Sequence, residues 1–205
     1  MACFVKELIK NGAVSIVVGD GKIKRYDDLL ANVRHDDKYH SIRSLVMPDD
    51  PEVREVARVL LQAPDFISAA QELVNSFTTY GSEVGDLWRT PAETLAKRTG
   101  VDCDDSAILL ASIIRAAGIP PDQVYCAFGL WTLDGETDGH MWVVLGSDSG
   151  EDRTLESTAS PRKHTRGKYI IHGIFNDTYC FATGVGLREF DIKPVELAKA
   201  LAVKV

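Results

Sequence analysis

The chain has 205 residues, of which 45% are hydrophobic and 26% are charged. This composition is typical of a folded globular protein and excludes a disordered or fibrous one. The formal net charge is −7, and the run PRKHTRGK at 161–168 is basic but short. Nucleic-acid binders usually carry a basic face or stripe, so we expect no nucleic-acid partner.

The sequence also bears on the compartment. No segment approaches the roughly 20 apolar residues that a membrane span requires, and the N-terminus lacks the apolar core and cleavage site of a signal peptide. Four cysteines are far apart without CxxC spacing, and a chain of this size needs no disulfides to fold. We therefore expect a cytoplasmic protein, without a membrane partner, whose thiols are free: Cys3, Cys103, Cys126 and Cys180.

The first predicted elements are β-rich and the next are helical. Two runs in AVSIVVGDGKIKRY flank Asp20 and Gly21, a dipeptide typical of a hairpin turn. Residues 1–50 are thus a candidate N-terminal β-hairpin extension, which could serve as a sheet edge, a lid or an oligomer contact. Helical spacing follows in DPEVREVARVLLQA and PDFISAAQELVNSFTTY. In RTPAETLAKRTG, Thr90 and Glu93 have the spacing of a capping box at the start of a short helix.

A helix that is apolar nearly all round dominates the middle of the chain. It is predicted from Asp102, a good N-cap, to about Ala117, where Gly118 ends it. Strand periodicity then follows in QVYCAFG, HMWVVLG, RTLEST, KYIIHGIF and TYCFATG. Helices followed by consecutive strands predict an α+β fold with this helix buried against an antiparallel sheet, in a single domain covering 1–205.

One thiol lies at the start of this helix. Cys103 is close to unpaired backbone N–H groups and the positive end of the helix dipole, and both favour a thiolate. A small residue that is merely buried would also fit the position. Asp104 and Asp105 oppose a thiolate if they point at the sulfur. We therefore expect at least one of them to pair with Arg89, Arg98 or the helix N-terminus.

A thiol nucleophile needs a base and a group that orients the base. His140 begins a predicted strand directly after the turn-rich DGETDG, beside a loop that can shape a cleft. Glu156 in TLEST would lie next to it on an adjacent antiparallel strand. The order Cys103, His140, Glu156 therefore fits a thiol triad.

Metal and cofactor chemistry is not expected. The acidic loop LDGETDG lacks the length and closing glutamate of a calcium loop. Two strand tryptophans, Trp131 and Trp142, are interpreted as core or cleft wall. The histidines outside the triad show no ligand spacing, and the cysteines form no zinc pattern with them: His35, His40, His164 and His172.

The stretch from about Tyr80 to Thr158 resembles the transglutaminase-like superfamily, relatives of the papain fold. The matching pieces are DLWRTPAETL, DCDDSAILLASIIRAAGIP, HMWVVL and TLEST, in this order. The resemblance implies a papain-like/transglutaminase-like core. It also implies that Cys103 is the nucleophile, His140 the general base and acid, and Glu156 the orienting acid.

The resemblance further implies acyl transfer on a peptide or protein substrate through a thioester. Release by water would make the protein a cysteine peptidase or amidase, and release by an amine would make it a transglutaminase. We favour hydrolysis, because no accessory feature is evidently built to exclude water. A non-catalytic peptide-binding module with this fold and a structural protein are the alternatives. The sequence does not predict an oligomeric state.

Several groups are candidates for the oxyanion hole or the cleft. The backbone N–H of Cys103 and the indole of Trp88 are candidate oxyanion donors, although core packing explains Trp88 equally well. Asp102 and Trp142 are further cleft candidates.

Two positions depart from the family pattern. Val101 intervenes between Gly100 and Asp102, where the family usually has glycine directly before Asp-Cys. Glu156 replaces the usual aspartate, and its additional methylene shifts the carboxylate by roughly 1.5 Å.

Overall fold

The structure is a computed structural model, and it describes residues 17–18, 24–25, 32–36, 38–81, 87–146, 152–158 and 167–182. The Asp20-Gly21 turn, Cys3, His164 and most of the basic run at 161–168 lie outside these residues. Within the described ranges no helix combines the length and hydropathy of a membrane span.

The helices begin at residues whose side chains cap them. Asp50 accepts hydrogen bonds from the backbone N–H groups of Glu52 and Val53. The predicted capping box of Thr90 and Glu93 is present. Both satisfy backbone donors that a helix start leaves unpaired. A 3-10 helix spans Ile42–Leu45, and the described α-helices are α1 (Pro51–Leu60), α2 (Phe66–Phe77), α3 (Pro91–Lys97) and α4 (Cys103–Ala116).

The described strands form one large sheet and two small ones. The strands of the large sheet are β1 (Val17–Val18), β2 (Lys24–Arg25), β7 (Val124–Leu133), β8 (Glu136–Leu145), β9 (Arg153–Leu155), β10 (Lys168–Phe175) and β11 (Cys180–Ala182). Their order is β2-β11-β10-β7-β8-β9, with antiparallel pairs, and β1 pairs with β10 in parallel. The small sheets are β3 (Asn32–His35) with β4 (Lys38–Ser41), and β5 (Thr79–Tyr80) with β6 (Thr99–Val101).

The large sheet separates two apolar clusters. Alternate side chains of a strand point to opposite faces, so Met141 and Val143 of β8 pack with α4 while Trp142 belongs to the other cluster. Residues 104–114 of α4 are all buried. The predicted α+β class with a central buried helix on an antiparallel sheet describes this arrangement.

The predicted hairpin around Asp20-Gly21 stays a prediction, because that turn lies outside the described residues. Val17–Val18 pairs with β10 and Lys24–Arg25 pairs with β11, so both short strands extend the large sheet. Local turn chemistry does not predict which strand edges they meet. A hairpin that we did not predict, β3-β4, forms in the polar stretch NVRHDDKYHS, where charged side chains obscure the strand alternation.

The close approach of β7 and β10 requires a glycine. A Cβ on Gly129 would lie 1.9 Å from the carbonyl oxygen of Ile170 and 2.9 Å from the backbone N of His172. Gly129 is also directly opposite His140 in the β7-β8 ladder. Strand β10 can therefore pack this closely against β7, opposite His140, only if position 129 has no side chain.

We predict that Gly129→Ala lowers the free energy of unfolding by at least about 2 kcal/mol, because backbone of β10 must move. Urea denaturation followed by circular dichroism measures the change. Thr137→Ala, at an exposed β8 position, is the control and should cost less than about 1 kcal/mol. Equal midpoints for the two variants would contradict the prediction.

Candidate active site

Cys103 is the first residue of α4, and its thiol lies against strand β8. Asp102 is the N-cap, and its carboxylate accepts the backbone N–H of Asp105 at 3.5 Å. The backbone N–H groups of Met141 and of Cys103 itself act on the thiol and lower its pKa. Because His140 directly precedes Met141, the start of α4 adjoins the part of β8 that carries the histidine.

The thiol is less acidic than the sequence led us to expect. Burial raises the pKa of Cys103 well above its usual value, and the charges of Asp104 and Asp102 raise it further. The two backbone N–H donors lower the pKa but do not outweigh these effects. The helix start favours the thiolate as expected, but burial and the two neighbouring acids outweigh it and favour the protonated thiol of Cys103.

The two acids after the thiol have different roles. Asp105 is fully buried and pairs with Arg89, which brings one guanidinium nitrogen to 2.5 Å from Oδ2 and its backbone N–H to 2.9 Å from Oδ1. The expected pairing of one acid with Arg89 is thus present. Asp104 accepts the N–H of Asp105 at 3.0 Å, yet its charge still acts on the sulfur.

His140 and Glu156 are in contact, as strand pairing predicted. The β8-β9 ladder pairs Val143 with Leu155, which places the next residue, Glu156, beside Trp142. The Nε2 atom of His140 lies 3.0 Å from Oε2 and 3.3 Å from Oε1 of Glu156. A carboxylate only accepts, so Nε2 of His140 carries a proton and donates it to Glu156.

Glu156 is only 1% exposed and is held by several further donors. The hydroxyl of Tyr169 donates to Oε1 at 2.6 Å, and that of Thr158 donates to Oε2 at 3.4 Å. On α2, Gln71 and Asn75 donate to the main-chain carbonyl of Glu156 at 2.9 and 3.3 Å. The carboxylate and its backbone are therefore both fixed.

Sequence reasoning missed Tyr169, Gln71 and Asn75. Tyr169 is a polar-tipped residue within the otherwise apolar run KYIIHGIF, and a buried tyrosine usually needs a partner for its hydroxyl. That signal indicated a hydrogen bond but not its acceptor. Gln71 and Asn75 are four residues apart on one face of α2, a spacing that carries no chemistry by itself.

The tryptophan candidates lie in the core. Trp88 is 1% exposed and its ring centroid is 5.9 Å from that of Phe175, so core packing is observed and an oxyanion role stays a prediction. Trp142 is fully buried, with its ring 6.0 Å from His140. Trp131 lies 6.4 Å from the same imidazole. These two tryptophans form apolar walls beside His140.

Two clusters bring potential cation ligands together, although the sequence spacing had indicated no metal site. The first cluster is Asp102, Asp104 and Asp105, and the second is His35, Asp36 and Glu93; in each, the ligand atoms lie within 4.8 Å of one another. In the first cluster, Asp105 already forms an ion pair with Arg89. In the second cluster, Glu93 accepts a hydrogen bond from Thr90, and Nδ1 of His35 donates to the carbonyl of Trp88 at 2.9 Å.

No protein-family model matches the chain, and no curated protein sequence matches it significantly. Solved structures of LapG from Legionella pneumophila are similar to it. The calcium-bound LapG structure has a TM-score of 0.47 and 19% identity, covering 73% of this chain and 86% of LapG. The EGTA-treated structure has a TM-score of 0.46 and 19% identity, covering 72% and 95%. These values describe a coarse likeness in fold and carry no functional inference.

We predict that Asp104→Asn makes Cys103 more reactive near neutral pH. The amide oxygen can still accept the N–H of Asp105, but the negative charge that raises the thiol pKa is removed. The pH at which iodoacetamide alkylation of Cys103 is half-maximal should fall, as measured by mass spectrometry of the labelled peptide. Cys126 and Cys180 are internal controls, and an unchanged or higher midpoint for Cys103 would contradict the prediction.

Proposed function

We propose that this protein is a thiol-dependent acyl-transfer enzyme that hydrolyses peptide or amide bonds through Cys103, His140 and Glu156. The observation that carries the proposal is the buried hydrogen bond between His140 and Glu156. The next residue of the same strand, Met141, acts through its backbone N–H on the thiol at the start of α4. A nucleophile, a base and an orienting acid are the parts that such chemistry requires.

The proposed first step is attack by Cys103 on the substrate carbonyl. The Nδ1 atom of His140 takes the thiol proton while the sulfur–carbon bond forms. The imidazolium then gives this proton to the leaving nitrogen, the C–N bond breaks, and a thioester remains on Cys103. In the second step His140 takes a proton from water, the hydroxide attacks the thioester, and the acid product leaves as the thiol is protonated again.

The raised pKa of the thiol bears on how this step starts. Because the raised pKa favours the protonated thiol, we expect deprotonation by His140 to accompany attack, in contrast to a stored thiolate-imidazolium pair. Glu156 stabilises the imidazolium that forms. The backbone N–H groups of Cys103 and Met141, which both act on the thiol, are the proposed donors to the oxyanion.

We expect Cys103→Ala to abolish turnover, with a loss of at least about 10³-fold, and His140→Ala to cost nearly as much because the two act as a unit. Glu156→Gln should cost less, because an amide still accepts from Nε2 but does not stabilise the imidazolium. Activity is measured as the release of fluorescent peptides from labelled casein and as cleavage of a peptide library detected by mass spectrometry. Circular dichroism must show that each variant is folded.

The same assay separates the alternatives. Incorporation of a dansylated primary amine into casein, without cleavage of the casein, would show that the enzyme catalyses transamidation and not hydrolysis. A peptide-binding module would give neither product. For a binding module or a structural protein, His140→Ala should also leave the alkylation rate of Cys103 unchanged, whereas an enzyme should lose thiol reactivity. No turnover together with an unchanged alkylation rate would overturn the proposed function.

A further inference from the structure

We propose that Tyr169 is a positioning residue of this site: its hydroxyl fixes the carboxylate of Glu156, which in turn orients the His140 ring through Nε2 so that the imidazole can act as the base. This inference rests on the proposed function. It adds a fourth member, from strand β10, to the three residues on which the chemistry depends.

Tyr169 is built as a fixed donor. Tyr169 is 1% exposed, its ring centroid lies 4.8 Å from that of Trp142, and its hydroxyl oxygen is 2.6 Å from Oε1 of Glu156. Burial, and then the charge and hydrogen bond of Glu156, raise the pKa of the phenol above its usual value. The hydroxyl therefore stays protonated wherever the protein is folded and active, and it can only donate to the carboxylate.

Glu156 needs such a donor. A glutamate has one more rotatable bond than the aspartate usual at this position, so its carboxylate has more rotamers to choose from. A buried carboxylate also costs free energy unless it is hydrogen-bonded. The bond from Thr158 is long at 3.4 Å, whereas that from Tyr169 is short. Tyr169 is thus the neutral side chain that holds Oε1 in place while Nε2 of His140 donates to Oε2.

The hydrogen bond also tunes the charge that His140 meets. A donor to a carboxylate stabilises its negative charge and weakens its pull on a neighbouring proton. Without the hydroxyl, the carboxylate of Glu156 would attract a neighbouring proton more strongly. The loss of Tyr169 should therefore change the pH dependence of the reaction as well as its rate.

The test compares Tyr169→Phe with Tyr125→Phe. Both remove one hydroxyl from a buried tyrosine of the same apolar cluster, and Tyr125 has its ring beside Tyr179 instead of Trp142. We expect Tyr169→Phe to lower kcat about 10-fold or more and to move the acidic limb of the kcat/KM profile to higher pH, with KM little changed. Tyr125→Phe should leave the rate and the profile as in the wild type.

The proposal is overturned if Tyr169→Phe matches Tyr125→Phe in either the rate or the acidic limb. A second measurement needs no substitution: in the wild type, proton NMR should show the Tyr169 hydroxyl as a slowly exchanging, downfield resonance with a cross-peak to the His140 ring. Its absence also overturns the proposal, even if Tyr169→Phe does not fold. A wild type without activity or His140-dependent thiol reactivity would instead refute the proposed function.

Discussion

The burial of one carboxylate constrains the rest of this site. Glu156 is almost completely shielded from water, and an unpaired buried charge is too costly to keep. Its carboxylate accepts from His140 of β8 and Tyr169 of β10, whereas Gln71 and Asn75 of α2 donate to the main-chain carbonyl of the same residue. The strand order must therefore be correct before the carboxylate is satisfied, and the docking of α2 fixes the backbone that carries it.

The thiol end of the site is tied to the acid end by the packing of α4. Asp105 pairs with Arg89 just before α3, and the hydroxyl of Ser106 lies 3.3 Å from that of Ser157, the residue after Glu156. Opposite faces of the large sheet carry the apolar contacts of α4 and the aromatic pocket of His140. A change in either cluster would thus alter the geometry between Cys103 and its proposed base.

Electrostatics at Cys103 combine opposing influences. Two backbone N–H groups favour the thiolate, whereas burial and the acids at either side favour the thiol. The raised pKa favours the thiol form, since burial and the acids outweigh the two N–H groups. The proposed reaction accordingly depends on His140 as an active base.

The sequence by itself determined the local elements and the residue types of the site. Periodicity and caps located α1 to α4 and most strands of the large sheet, and the short chain distance between His140 and Glu156 predicted their contact, because consecutive antiparallel strands pair. Only the tertiary structure decided that β1 and β2 join β10 and β11, that burial raises the pKa of Cys103, and that Tyr169 reaches Glu156. These outcomes depend on non-consecutive strand pairing and on desolvation, and neither leaves a local pattern in the chain.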